Sequence, residues 1–288
     1  MIIKKRNKTI NIINNKKDKE KMKKLSILAI AFAAIVFAAC GGKKSEQAAE
    51  NADSLKSFEQ QQIEASIKMH FDSIAAEIGK LKQLPFLSDG DDGLKLTKEE
   101  KQVKPDYLLD PATAEEATTL AEKYRILSAL NVDKKIATFY EMPTEDYDKA
   151  ITKLVADIND PSFKAIDDAN TLYETSTTLY DAMNENGRIN FFWQMASAAL
   201  IEELYLANQN PDKYLSTFTD EAASNVTFRI ILILDAINRL AQYDPDIQPV
   251  AKALAPLDVL NATTVAELKD QIAKAKEQIN DARKAIIK

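Results

Sequence analysis

The residues best suited to chemistry are charged side chains inside two otherwise apolar segments, 189–207 and 226–241. Glu202 and Glu203 lie in the first segment, and the second contains Arg229, Asp235 and Arg239. Carboxylates on facing helices can act as general acid and base. Because buried charge is costly unless it is paired, we expect these groups to form ion pairs or to line a cavity, and we favour ion pairs.

Aromatic residues accompany these charges at helical spacing: Phe191, Phe192, Trp193, Tyr205 and Tyr214. Such a cluster usually belongs to a hydrophobic core, but it is also where we would expect a ligand pocket. The candidate pocket residues are Phe192, Trp193, Glu202, Tyr205 and Arg229.

The sequence lacks the material for most enzyme sites. His70 and Cys40 are the single histidine and the single cysteine, so we expect no zinc site and no Glu-x-x-His di-iron site. It also has no Gly-rich phosphate loop and no G-x-S-x-G turn. We therefore expect no catalytic residue, no metal ligand, no bound cofactor and no enzyme activity. His70 is expected at the edge of a core, with a catalytic or pH-sensing role as the alternative.

Helical periodicity and caps recur along the chain. An apolar stripe through Phe71, Ile74 and Ile78 predicts a helix of about 30 residues over 54–84. Capping boxes are predicted at Thr97–Glu100, Thr113–Glu116 and Thr264–Glu267, and caps before proline at Asp110, Asp160 and Asn210. Asn186-Gly187 predicts a helix stop. The predicted helices after the first are 112–130, 133–141, 144–159, 162–184, 187–208, 219–242, 246–255 and 263–287.

The pattern predicts an all-α fold, a multi-helix bundle of about eight to nine helices. Segments 189–207 and 226–241 are apolar on most sides, as central helices are. The last predicted helix carries a heptad-like apolar seam that should pack lengthwise against a neighbour. We favour docking on its own domain over an intermolecular coiled coil.

The N-terminal region has the pattern of a bacterial export signal. Lys23 and Lys24 precede an apolar run from Ile27 to Phe37, followed by Ala38-Ala39-Cys40. Phe37-Ala38-Ala39-Cys40 resembles the lipobox of bacterial lipoproteins, with phenylalanine where leucine is usual. The resemblance implies cleavage before Cys40 and acylation of that cysteine by lipids such as palmitate. The chain is similar overall to uncharacterised helical lipoproteins of Bacteroidetes-type bacteria.

Charge separates the signal from the rest of the chain. Residues 40–288 contain 28 basic and 42 acidic residues, a net charge of −14. Such a surface repels nucleic acid and anionic lipid headgroups, so we expect membrane attachment through lipid on Cys40. In lipoproteins generally, Gly41 after the cysteine suggests the outer membrane, and Lys43-Lys44 favours the periplasmic leaflet.

These observations give a domain plan and three functional hypotheses. Residues 1–21 are a mis-assigned start or a disordered basic extension, 22–39 a signal peptide, 40–53 a tether and 54–288 one helical domain. The favoured function is a lipid-anchored envelope protein acting as a non-catalytic structural or protein-interaction module, with an envelope protein as partner. A lipoprotein that binds small ligands or peptides is the alternative, and a carboxylate-dependent enzyme is the third hypothesis.

Overall fold

The computed structural model describes residues 65–66, 68–79, 84–88, 93–166, 172 and 176–287. All regular structure in these ranges is helical, which confirms the all-α fold class. The helices are α1 (68–78), α2 (Lys98–Gln102), α3 (Leu120–Phe139), α4 (Glu145–Ile158), α5 (Thr177–Glu185), α6 (Ile189–Gln209), α7 (Pro211–Tyr214), α8 (Asp220–Leu240), α9 (Gln248–Leu254), α10 (Val265–Lys274) and α11 (Lys276–Ile286). The predicted signal, Cys40 and the tether lie outside the described residues.

The centre of the fold is the pair α3 and α6, which pack along each other. Nearly every residue of α6 from Phe192 to Asn208 is buried, as its apolar composition predicts. The sequence predicted two helices, 112–130 and 133–141, where the structure has the single helix α3. The pattern did not mark α3 as central because its buried residues include Arg125, Asn131 and Asp133.

Helix α8, the other strongly apolar segment, is buried along one side. Val226, Ile230 and Ile233 face the core, whereas Phe228 and Ile231 are 40% and 52% exposed. This helix therefore covers the core from outside and presents apolar surface to solvent.

The caps that position these helices agree in part with the predictions. The Thr97–Glu100 capping box is confirmed, and Asp110, Asp160 and Asn210 each accept a backbone N–H as predicted. The predicted box at Thr113–Glu116 is wrong, because Pro111–Glu115 is a 3-10 turn and α3 begins after a box formed by Thr119 and Glu122. Thr264 accepts from the Glu267 amide as predicted, but the Glu267 carboxylate bonds the Thr263 backbone instead of completing the box.

Helix α5 ends at the predicted stop. Gly187 has φ 67°, in the left-handed region that glycine adopts without steric cost. The amides of Gly187 and Arg188 donate to the carbonyls of Asn184 and Met183, the bond pattern of a Schellman motif. This turn lets α6 begin two residues later.

The predicted last helix is two helices, α10 and α11, divided at Ala275. Its apolar seam is buried through Leu268, Ile272, Ile279 and Ile286. The seam packs on α6, α8 and α9 of the same chain, so the prediction of docking on its own domain is confirmed. Within the described part of the chain, no helix is both long enough and apolar enough to cross a membrane.

Candidate functional site

The most developed polar cluster joins the last helix to the central helix. Arg283 of α11 donates from Nε and Nη2 to the two carboxylate oxygens of Glu202 on α6, at 2.7 and 2.8 Å. The Glu202 side chain has no exposed surface, and that of Arg283 is 16% exposed. The guanidinium also lies over the ring of Tyr205, 4.0 Å from its centroid. Arg283 therefore uses one flat face of its guanidinium against Tyr205 and one donor edge against Glu202.

Asp133 of α3 approaches the same arginine from another side. Its Oδ2 accepts the backbone N–H of Leu109 at 2.6 Å and lies 3.9 Å from Arg283 Nη2. Burial raises the pKa of Asp133 well above its usual range, and the nearby Glu202 carboxylate raises it further. Burial also raises the pKa of Glu202, although Arg283 opposes that rise. The cluster therefore contains two buried carboxyls and one cation.

A second buried ion pair links α6 to α8. Arg229 Nη1 lies 3.0 Å from Glu203 Oε2, with 7% and 1% of the two side chains exposed. Burial raises the pKa of Glu203 to about 7, although the Arg229 guanidinium lowers it. The ion pairing predicted for this glutamate is present, and it fixes α8 against the centre.

The remaining predicted charges lie at the surface. His70 Nε2 lies 2.7 Å from Asp235 Oδ2, within hydrogen-bond distance, and Asp235 also pairs with Arg239 at 3.4 Å. His70 is partly buried beside Phe71, at the edge of the core as predicted. The His70–Asp235 contact ties α1 to α8.

The predicted aromatic cluster is divided among separate parts of the core. Trp193 and Phe192 pack with Phe71 and Tyr180. Phe191 stacks on Tyr124, whereas Tyr205 lies under Arg283. Tyr214 contacts Phe86 and Tyr107.

The five candidate pocket residues consequently take part in three different contact sets. Glu202 and Tyr205 meet at Arg283, Arg229 pairs with Glu203, and Trp193 packs with Phe192. Trp193 and Glu202 have no exposed surface. The structure brings Glu202 and Tyr205 together at Arg283, and it packs Phe192 and Trp193 together against Tyr180.

Sequence reasoning missed Asp133 and Arg283. Asp133 lies among the buried, mostly apolar residues of α3. Arg283 directly follows Ala282, which is buried with the apolar seam of α11. Either position could have been flagged, because a charge inside an apolar pattern needs a partner of opposite sign. The prediction offered Arg229 and Arg239 as the cations for Glu202, whereas its partner in the structure is Arg283.

The site's chemistry is proton binding and charge pairing. A carboxylate-dependent enzyme would need two of Glu202, Glu203 and Asp235 unpaired and open to solvent, but each of them is bonded to a basic side chain. The described residues include no group of three or more His, Cys, Asp or Glu that could hold a metal ion. In comparisons with known proteins, no family model, no curated protein and no solved structure matches this chain.

Proposed function

We propose that the protein is a lipid-anchored cell-envelope protein whose helical domain serves as a non-catalytic structural or protein-interaction module. The anchor is proposed from the sequence, where Cys40 follows an apolar run and a small-residue cleavage pattern. Two or three acyl chains bind a membrane durably, whereas one chain binds only marginally. The proposed location is the periplasmic face of the outer membrane.

The observation that carries the interaction role is the exposed apolar surface of α8. Phe228 and Ile231 lie on adjacent turns of this helix and are 40% and 52% exposed. Leu232 and Leu234 on the same helix are partly buried and pack against the core, so Phe228 and Ile231 are its exposed large apolar side chains. Apolar side chains grouped on one helix face are typical of protein contact sites.

The anchor is tested by labelling cells with a fatty-acid analogue and separating their membranes. The full chain is expected to incorporate the label and to remain with outer membranes after a salt wash. Cys40→Ala should lose both properties while its domain keeps its helical circular dichroism. Retention of the variant on washed membranes would contradict attachment through Cys40.

The interaction role is tested by a photo-crosslinking amino acid placed at Ile231 in cells. We expect one discrete product from Ile231 and none from the exposed position Glu277 on α11. The product should disappear when Phe228 is changed to serine. Equal crosslinking at both positions would indicate random collisions and would count against a docking role for α8.

A further inference from the structure

The carboxyl group of Asp133 has one oxygen that the described residues leave without a hydrogen bond. Oδ2 accepts from the Leu109 amide, but Oδ1 has no partner among the described residues. The side chain has no exposed surface. An ionised carboxylate in such a place would leave a charged oxygen bare, which is costly.

The charges around Asp133 do not balance if both carboxyls are ionised. Arg283 is the cation that faces them, and two of its donors already bind both oxygens of Glu202. Among the described residues, the other titratable groups that face the cluster are tyrosines, whose hydroxyls are uncharged at pH 7. They are Tyr107, between α2 and the Pro111–Glu115 turn, Tyr147 of α4 and Tyr205 of α6. Two carboxylates and one guanidinium would leave one uncompensated negative charge in the interior.

We propose that Asp133 carries a proton on Oδ1 at neutral pH and donates it to Glu202, making the Asp133–Glu202–Arg283 cluster a proton-sensitive latch for the last helix. One proton leaves Glu202 and Arg283 as the only charges, and these cancel. It also lets Asp133 donate to Glu202, because the two carboxyls are neighbours that interact through their side chains, and Oδ1 is the Asp133 oxygen without another partner among the described residues. Burial, which raises the pKa of Asp133, favours the same protonated form of this carboxyl.

The latch controls α11 because, besides the apolar seam, Arg283 makes one of the two side-chain hydrogen-bond links that the described residues show between this helix and the α3–α6 pair. The other is Arg125 of α3, whose Nε donates to the Ile286 carbonyl at 2.7 Å. When rising pH removes the proton to water, the closed state is left with a fully buried Asp133 carboxylate, and undocking of α11 relieves the cost of that burial by admitting water. The contact between α11 and the α3–α6 pair then weakens without any change in covalent structure.

Carbon-13 NMR of the side-chain carboxyl groups in the full-length protein tests the proton directly. The Asp133 signal is identified as the resonance that is lost in Asp133→Asn. We expect a protonated carboxyl at pH 7 that titrates only at higher pH. An Asp133 carboxyl that is already ionised at pH 7 would overturn the proposal, whatever the variants do.

A second measurement tests the partner. In Glu202→Gln, Arg283 has a single carboxylate left to bind, so Asp133 should be ionised at pH 7. If Asp133 stays protonated in this variant, its protonation does not depend on the Glu202 carboxylate and the proposed latch is wrong.

Hydrogen exchange of the α11 amides tests the consequence. Between the ordinary pKa that Asp133 has when α11 is open and its raised pKa in the closed state, the opening equilibrium of α11 should rise up to tenfold per pH unit after correction for intrinsic exchange, and it should level off above the raised pKa. Asp133→Asn, which keeps a donor toward Glu202 and an acceptor for Leu109, should remove that rise. Glu203→Gln is the matched control: it removes another buried titrating group and should leave the rise in place. The same rise in Asp133→Asn would exclude the latch.

Discussion

Arg283 of α11 and Glu202 of α6, 81 positions apart in the chain, form a bidentate ion pair with N–O distances of 2.7 and 2.8 Å. The fork of the guanidinium matches the two carboxylate oxygens, the strongest geometry for such a pair. Because Glu202 has no exposed surface, its charge depends on this partner. The pair therefore connects the end of the chain to the folding of the whole domain.

Removing Arg283 should destabilise the domain strongly. Arg283→Ala leaves the buried Glu202 unpaired, and we expect the free energy of unfolding to fall by about 3–5 kcal/mol. Urea denaturation followed by circular dichroism measures the change. Arg239→Ala is the matched control, because the Arg239–Asp235 pair is about half exposed on both sides and should contribute less than about 1 kcal/mol. Similar losses from the two variants would mean that Glu202 does not depend on Arg283.

Stability should fall as pH rises because of Glu203. Burial raises its pKa to about 7 from the ordinary value of 4.5 for a glutamate. The folded state therefore holds the proton more tightly than the unfolded state, and its contribution is full below about pH 4.5 and is lost by about pH 7. The difference is on the order of 3 kcal/mol.

Chemical denaturation between pH 4.5 and 8 checks this slope. Glu203→Gln cannot titrate, so its profile over the same range should be flatter than that of the unchanged protein. Asp133→Asn is the comparison that leaves Glu203 intact and should retain the fall below pH 7. A wild-type stability that increases from pH 5 to pH 7 would contradict the sign of the raised pKa.

The start of α3 provides a test of a cap that the sequence misplaced. Thr119 accepts from the Glu122 amide, and the Glu122 carboxylate accepts from the Thr119 amide. Thr119→Ala should lower the free energy of unfolding by about 1 kcal/mol. Thr113→Ala, at the position first predicted to cap, should change it by less than about 0.5 kcal/mol. Equal effects would show that the helix does not depend on this box.

The local features of the fold could be predicted from sequence because they depend on neighbouring residues. The stop at Gly187 and the caps at Asp110, Asp160 and Asn210 each follow from a residue type and its immediate successors. The box at Thr113 failed because Pro111 supports a 3-10 turn there, and a second threonine–glutamate pair lies six residues later.

The polar cluster could be predicted only halfway. Glu202 and Glu203 were recognisable as charges in an apolar segment that needed partners. Which cation each of them meets depends on how α8 and α11 cross α6, and local spacing carries no information on that. Glu203 meets Arg229, one of the predicted cations, whereas Glu202 meets Arg283, which was not among them.

The exposed face of α8 should separate function from stability. Phe228→Ser with Ile231→Ser removes two side chains that are about half exposed, so we expect the free energy of unfolding to fall by no more than about 2 kcal/mol. Ile233→Ser lies on the same helix with no exposed surface and should cost several kcal/mol through a cavity and a buried hydroxyl. Denaturation measures both, and crosslinking from Glu221 in cells measures docking. The double serine variant should lose its crosslinked partner while it stays folded. If it unfolds as readily as Ile233→Ser, Phe228 and Ile231 support the fold and are not a surface kept free for a partner.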